Sequence, residues 1–339
     1  MTGAGPAGGA IHVVAAVLLR GEQLCVSRRR ADAPHGGKWE LPGGKLEPGE
    51  TPRAGLAREL REELGIEVRA ARPFVTLRHA YPDGDVLLDV WRVTDYAGEP
   101  HGRESQALRW VPLPQLDPAE FPEADRPVLR RLQLPPLYLI TPAASGAPDE
   151  LIRRVEAALA AGARLLQLRD PRLERARFCA LARALAARCR RAGARLLVNA
   201  EPSWLDECEA DGVHLNARRL TALPARPVAP NAWLAASCHD ATELARALAL
   251  GADFAVLGPV QPTASHPGSP VLGWDGFGAL VRDCPLPLYA IGGMRAQDGA
   301  RARAYGAQGV AMISGVWDQE QPGAAIRTVL ATAQEASAR

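Results

Sequence analysis

Glu59, Glu62 and Glu63 stand at i, i+3 and i+4 within the segment GKLEPGETPRAGLARELREELGI, residues 44–66. On a helix that spacing puts three carboxylates on one face. The segment carries its own helix signals: Thr51 suits the N-cap, Pro52 the first helical position, and Gly65 a left-handed stop. Like charges so placed repel, so an isolated helix loses stability from them. A hard divalent cation, Mg²⁺ or Mn²⁺, removes the conflict because it prefers oxygen ligands. Arg58, inside the same turn, is placed to pair with the carboxylates and hold their rotamers. Such a cation can neutralise charge on an anionic group and lower the pKa of a bound water.

A chain of 339 residues suggests two domains. Hydrophobic and charged contents of 47% and 23% are those of a globular protein. No apolar run of about 18 residues occurs, and the N-terminus lacks a signal peptide's basic and apolar regions, so neither a membrane span nor export is expected. A net charge of +2 argues against dedicated nucleic-acid binding. The six cysteines show no C-x-x-C or zinc spacing and read as reduced thiols of a cytoplasmic protein.

The acidic helix needs a platform. Strands are expected over 11–19, 24–26, 74–79, 86–93 and 108–111, with a short closing helix at 125–132, which together suggest a mixed sheet between helices. Prolines then gather up to Pro135-Pro136, the expected boundary. Beyond it strands at 137–141, 164–169, 195–199, 212–215, 233–237, 254–260, 286–292 and 309–314 alternate mostly with helices, as a (β/α)₈ barrel requires. The expected layout is a short disordered tail over 1–10, one domain over 11–134 and the barrel over 137–339.

The 44–66 run resembles the Nudix hydrolase signature with no position missing, which implies an α/β/α sandwich. The segments around Arg29, Lys38–Lys45 and Phe121–Pro127 resemble the MutT group, which sanitises oxidised guanine nucleotides. That resemblance implies metal ligation by Glu59, Glu62, Glu63, the Gly43 carbonyl and Glu104, with Glu62 or Glu104 as the general base. It implies water attack at the β-phosphorus of a nucleoside triphosphate, releasing the monophosphate and pyrophosphate. Arg29 and residue 125 match the base-binding pair, and Lys45 lies among the substrate-binding candidates. Asp125 replaces the group's Asn, and an ionised Asp accepts hydrogen bonds but offers no donor.

The second half resembles the thiamine phosphate synthase and TenI superfamily. The matching segments carry Arg169, Asn199, Ser237, His239, Gly292, Gly293 and Ser314, and most lie at expected C-terminal strand ends, where barrels place their sites. The resemblance implies a phosphate cradle at Gly292-Gly293 and Ser314-Gly315. The synthase lysines are replaced by Pro171 and His266, and the magnesium carboxylates by Ala200 and Arg219. The expectation is therefore a barrel that binds a thiamine-precursor phosphate without synthase activity. His239 matches the TenI base, which leaves thiazole tautomerisation open. Also open are hydrolysis of thiamine-pathway pyrophosphates by the first domain and a purely regulatory barrel.

Overall fold

The computed structural model describes residues 10–29, 36–82, 84–103, 106–143, 147–263, 268, 270–282 and 284–338. The expected tail, apart from Ala10, lies outside the described residues, as do Glu104 and His266. The chain forms two compact units, the first ending at Gln133 and the second beginning at Leu134.

The first unit runs β1 (Ile11–Arg20), β2 (Gln23–Arg28), β3 (Trp39–Glu40), β4 (Gly43–Lys45), α1 (Pro52–Leu64), β5 (Glu67–Tyr81), β6 (Gly84–Ala97), β7 (Leu108–Pro112) and α2 (Arg126–Gln133). Its sheet has the order β3-β2-β1-β6-β5, with β4 added to β1 and β7 to β2. The β1–β6 pair is parallel and the others are antiparallel, so the sheet is mixed. Side chains of β1 alternate between the two faces. Val14, Ala16 and Leu18 join Leu56, Leu60 and Leu64 of α1 in one apolar cluster. Ala15 and Val17 join Phe121 and Val128 and Leu129 of α2 in another. The result is an α/β/α sandwich.

α1 begins where its cap chemistry dictates. The Thr51 hydroxyl accepts the Ala54 N–H at 3.3 Å, Pro52 opens the helix, and Gly65 ends it at φ 68°. Its apolar stripe is buried, which leaves the carboxylates on the other side.

The second unit runs β8 (Leu137–Ile140), α3 (Pro148–Ala160), β9 (Leu165–Leu168), α4 (Arg175–Arg191), β10 (Arg195–Val198), α5 (Leu205–Cys208), β11 (Gly212–Leu215), α6 (Ala217–Ala222), β12 (Trp233–Cys238), α7 (Ala241–Ala249), β13 (Phe254–Leu257), α8 (Gly273–Arg282), β14 (Leu288–Ala290), α9 (Asp298–Ala304), β15 (Gly309–Met312), α10 (Ser314–Trp317) and α11 (Pro322–Ala338). The eight strands close into a parallel barrel in the order β10-β11-β12-β13-β14-β15-β8-β9. This is the TIM-barrel architecture. Leu134 packs inside the barrel cluster, and its carbonyl accepts from the Gln308 amide at 2.7 Å, so the barrel takes up chain just before the proline pair. The sequence pattern did not name β3, β4, α5, α6, α8 or α10; the two strands hold only two and three residues, too few for a periodicity to register.

Leu60 is fully buried beneath α1. Leu60→Ala should therefore cost the first unit about 3 kcal/mol, measured by denaturant unfolding. A loss below about 1 kcal/mol would mean that this stripe does not hold the helix down.

Candidate functional site

Two carboxylates of α1, with Glu50 from just before the helix, converge on one guanidinium. Arg58 donates through Nε and Nη2 to the two Glu50 oxygens at 3.1 and 3.0 Å. Its Nη1 reaches Glu59 at 2.9 Å and Glu62 at 3.2 Å, and Nη2 also donates to the Lys45 carbonyl at 3.0 Å. Glu50 is held below the usual carboxylate range, chiefly by its hydrogen bond from Arg58. Glu59 moves the other way, because burial outweighs the Arg58 contact and Glu62 adds like charge. Glu63 turns instead to β4, accepting the Gly43 N–H at 3.0 Å.

β4 approaches these groups closely, and its glycines are what permit it. A methyl group on Gly44 would lie 2.4 Å from the Glu59 carboxylate. Gly43 holds φ +148°, and a methyl there would meet the Val14 carbonyl at 2.1 Å. The all-oxygen donor set suits a hard divalent cation. Among the described residues no three His, Cys, Asp or Glu side chains are grouped to hold a metal ion; here the carboxylates gather on Arg58. Glu104, the remaining expected ligand, lies outside the described residues.

A second polar group lies between β2, β3 and the start of α2. Arg29 pairs with Glu40, whose pKa burial raises despite that contact. Asp125 is buried, and its pKa is pushed up to about 7, first by desolvation and then by the Glu40 charge, against a backbone hydrogen bond from Leu41. The Tyr81 hydroxyl accepts the neighbouring Ala124 N–H at 3.2 Å. Sequence reasoning identified Arg29 and Asp125 and missed Glu40. The available signal was an acidic residue in a short strand otherwise flanked by Trp39 and Leu41.

In the barrel, a cavity of about 670 Å³ opens at the strand C-termini, and Arg169, Asn199, Ser237, His239, Gly292, Gly293 and Ser314 all line it. Gly292 and Gly293 hold φ +96° and +66°, a backbone form that side chains other than glycine rarely adopt. His239 donates its backbone N–H and Nδ1–H to Glu243 at 2.7 and 2.8 Å, which leaves Nε2 outside that contact. His214 is fully enclosed, and burial drives its pKa down to about 3, so the imidazole is neutral. No described lining residue carries a carboxylate, whereas Arg169 and Arg218 bring positive charge. Arg219 donates to Glu201 at 2.8 Å and to Asn199 at 3.3 Å. This donor set does not fit a divalent cation. Among the described residues no helix is long and apolar enough to cross a membrane.

The Nudix domain model matches residues 10–132, and the thiamine monophosphate synthase model matches residues 137–316. The 8-oxo-dGTP diphosphatase of Escherichia coli (strain K12) is 39% identical over 122 residues, 35% of this chain and 95% of that protein. The thiamine-phosphate synthase of Thioalkalivibrio sulfidiphilus is 36% identical over 197 residues, 58% of this chain and 93% of that protein. Among solved structures, the thiamine phosphate pyrophosphorylase from Pyrococcus furiosus matches with a TM-score of 0.52 and 27% identity, covering 59% of this chain and 95% of the other. With the carboxylate helix on a mixed sheet and the closed parallel barrel both in place, the chain belongs to two families, as a metal-using Nudix hydrolase of phosphoric anhydride bonds in its first unit and a thiamine monophosphate synthase family member in its second.

Proposed function

We propose that the first unit is a Mg²⁺-dependent 8-oxo-dGTP diphosphatase, with Mn²⁺ as an alternative ion. The observation that most supports this reading is the cluster of Glu50, Glu59 and Glu62 on one guanidinium beside the β4 glycines. Glu59, Glu62 and Glu63, with the Gly43 carbonyl and Glu104, would hold the ion, which supplies charge neutralisation of the triphosphate. Water attacks the β-phosphorus, the bond to the α–β bridging oxygen breaks, and nucleoside monophosphate leaves as pyrophosphate forms. Glu62 or Glu104 takes the water's proton. Arg58 touches carboxylates rather than substrate, so its part is to hold them in place.

Asp125 and Arg29 recognise the oxidised base. An ionised Asp125 would lack the donor that an Asn offers, but a carboxyl with a pKa near 7 is partly protonated at neutral pH. Its O–H then donates to the purine O6. The folded pKa is raised, so the neutral form dominates below about 7 and is lost as the pH rises through that value.

The barrel binds a thiamine-precursor phosphate through Arg169, Asn199, Ser237, Gly292, Gly293 and Ser314 and does not carry out the synthase reaction. A second reading, thiazole tautomerisation with His239 as the base, is favoured by the Glu243 contact that leaves Nε2 available to take a proton. Cytoplasmic residence fits both units' substrates.

Two measurements test these assignments. The kcat/KM for 8-oxo-dGTP and for dGTP, which share O6, should both fall by up to about thirtyfold between pH 6 and 8.5 in the wild type relative to Asp125→Asn, since a carboxyl with a pKa near 7 loses most of its protonated form over that range. Equal rates on the two nucleotides throughout would contradict the sanitising role. Calorimetric titration with a thiazole phosphate should give saturable one-site heat, weakened by Arg169→Ala; absence of heat would contradict the ligand-binding reading.

A further inference from the structure

Six polar side chains form a continuous hydrogen-bonded chain across the mouth of the barrel. Arg219 Nη1 meets Asn199 Oδ1 at 3.3 Å, and Asn199 Nδ2 meets Gln167 Oε1 at 3.2 Å. Gln167 Nε2 meets the Tyr138 hydroxyl at 2.9 Å, which meets His214 Nδ1 at 3.2 Å, and His214 Nε2 meets Ser237 Oγ at 2.8 Å. The five residues after Arg219 come from, or directly follow, the adjacent strands β8 to β12, and Tyr138, Gln167 and His214 are essentially fully buried.

Such a chain could in principle run in either direction. Amides, hydroxyls and neutral imidazoles each both donate and accept, so reversing every bond would satisfy all five inner members equally. Arg219 removes that freedom because a guanidinium has donors and no acceptor. The Asn199 atom facing it must be oxygen, so its amide nitrogen faces Gln167. Gln167 must then accept with its oxygen and donate with its nitrogen to Tyr138. Having accepted, Tyr138 spends its single proton on His214 Nδ1. The reversed chain would end with the Asn199 amide nitrogen against the guanidinium, donor against donor. Burial keeps His214 neutral, so the proton on its ring lies at Nε2 and is donated to Ser237.

We infer that Arg219 is a positioning residue which sets the direction of this chain, fixes His214 as the Nε2–H tautomer, and leaves the Ser237 hydroxyl to donate its own proton into the cavity. The group that Ser237 meets is then an acceptor, an anionic phosphate or carboxylate oxygen. Arg169 and Arg218 in the lining supply matching positive charge, and no described lining residue offers a carboxylate to a divalent cation. Binding of such an anion therefore needs no added metal. The ligand half of this inference rests on the barrel reading above; the tautomer half does not.

The experiment uses full-length protein labelled with ¹⁵N-histidine, with the His214 signals assigned by their loss in His214→Gln. Long-range ¹H–¹⁵N correlation at pH 7 should show His214 protonated at Nε2 and unprotonated at Nδ1. In Arg219→Met the second tautomer should appear, and Arg219→Lys, which keeps a donor, should restore the single form. Titration with inorganic phosphate in the presence of a chelator should bind the wild type and bind Arg219→Met about fivefold more weakly, the worth of one misdirected hydrogen bond. An Nδ1–H tautomer or an imidazolium in the wild type would overturn the inference, as would an unchanged tautomer in Arg219→Met. The expected tautomers without phosphate binding to any form would uphold the chain's direction and instead refute the barrel as a phosphate site.

Discussion

Mutual repulsion among carboxylates on one helix face is the constraint around which the first unit is built. Glu59 and Glu62 cannot share a turn with Glu50 beside them unless positive charge sits among them, and Arg58 supplies it from the same helix. The surrounding features follow from that need. Leu56, Leu60 and Leu64 bury the opposite face against β1, so the acidic face can only point away from the core. Gly44 brings the β4 backbone within contact of Glu59, where a Cβ would push the carboxylate aside, and Gly43 lies against the Val14 carbonyl. The pairs of Arg58 with Glu50 and Glu59 are part-buried, and the cost of desolvating charge offsets much of what such pairs gain, so the cluster's arrangement is explained by the charge it can gather and not by strength it lends the fold.

The barrel meets its electrostatic problem in the opposite way. Its cavity is lined largely by apolar side chains, with two arginines and several neutral polar groups among them, and the donor that orders the polar chain comes from Arg219, outside the lining. One unit thus presents carboxylates suited to a cation and the other presents donors suited to an anion. The two families that the chain joins both handle phosphate, but these donor sets handle it by different means.

The carboxylate helix was legible because everything that defines it lies within one linear run. Cap, proline, charge spacing and terminal glycine are all local, and local rules place them. The barrel was legible at the level of rhythm, and the candidate residues that line its cavity came from matching family segments, most of them at expected strand C-termini. What could not be read were relations between distant residues. Asp125 lacks a donor when considered alone; only burial beside Glu40, eighty-five positions earlier in the chain, raises its pKa and restores one. The chain from Arg219 to Ser237 was equally hidden, because its members are single polar residues in or beside different strands. Gln167 in LLQL and His214 in GVHL are the traces it leaves, each one polar side chain in an otherwise apolar strand.

The central claim is that the α1 carboxylates perform the hydrolysis. Its most direct test is pyrophosphate release from 8-oxo-dGTP with Mg²⁺, compared between the wild type and Glu62→Gln. Glu62 is half exposed, so the substitution leaves the fold intact. The expected result is a loss in kcat of about 100-fold or more; a variant that retained wild-type turnover would contradict the account.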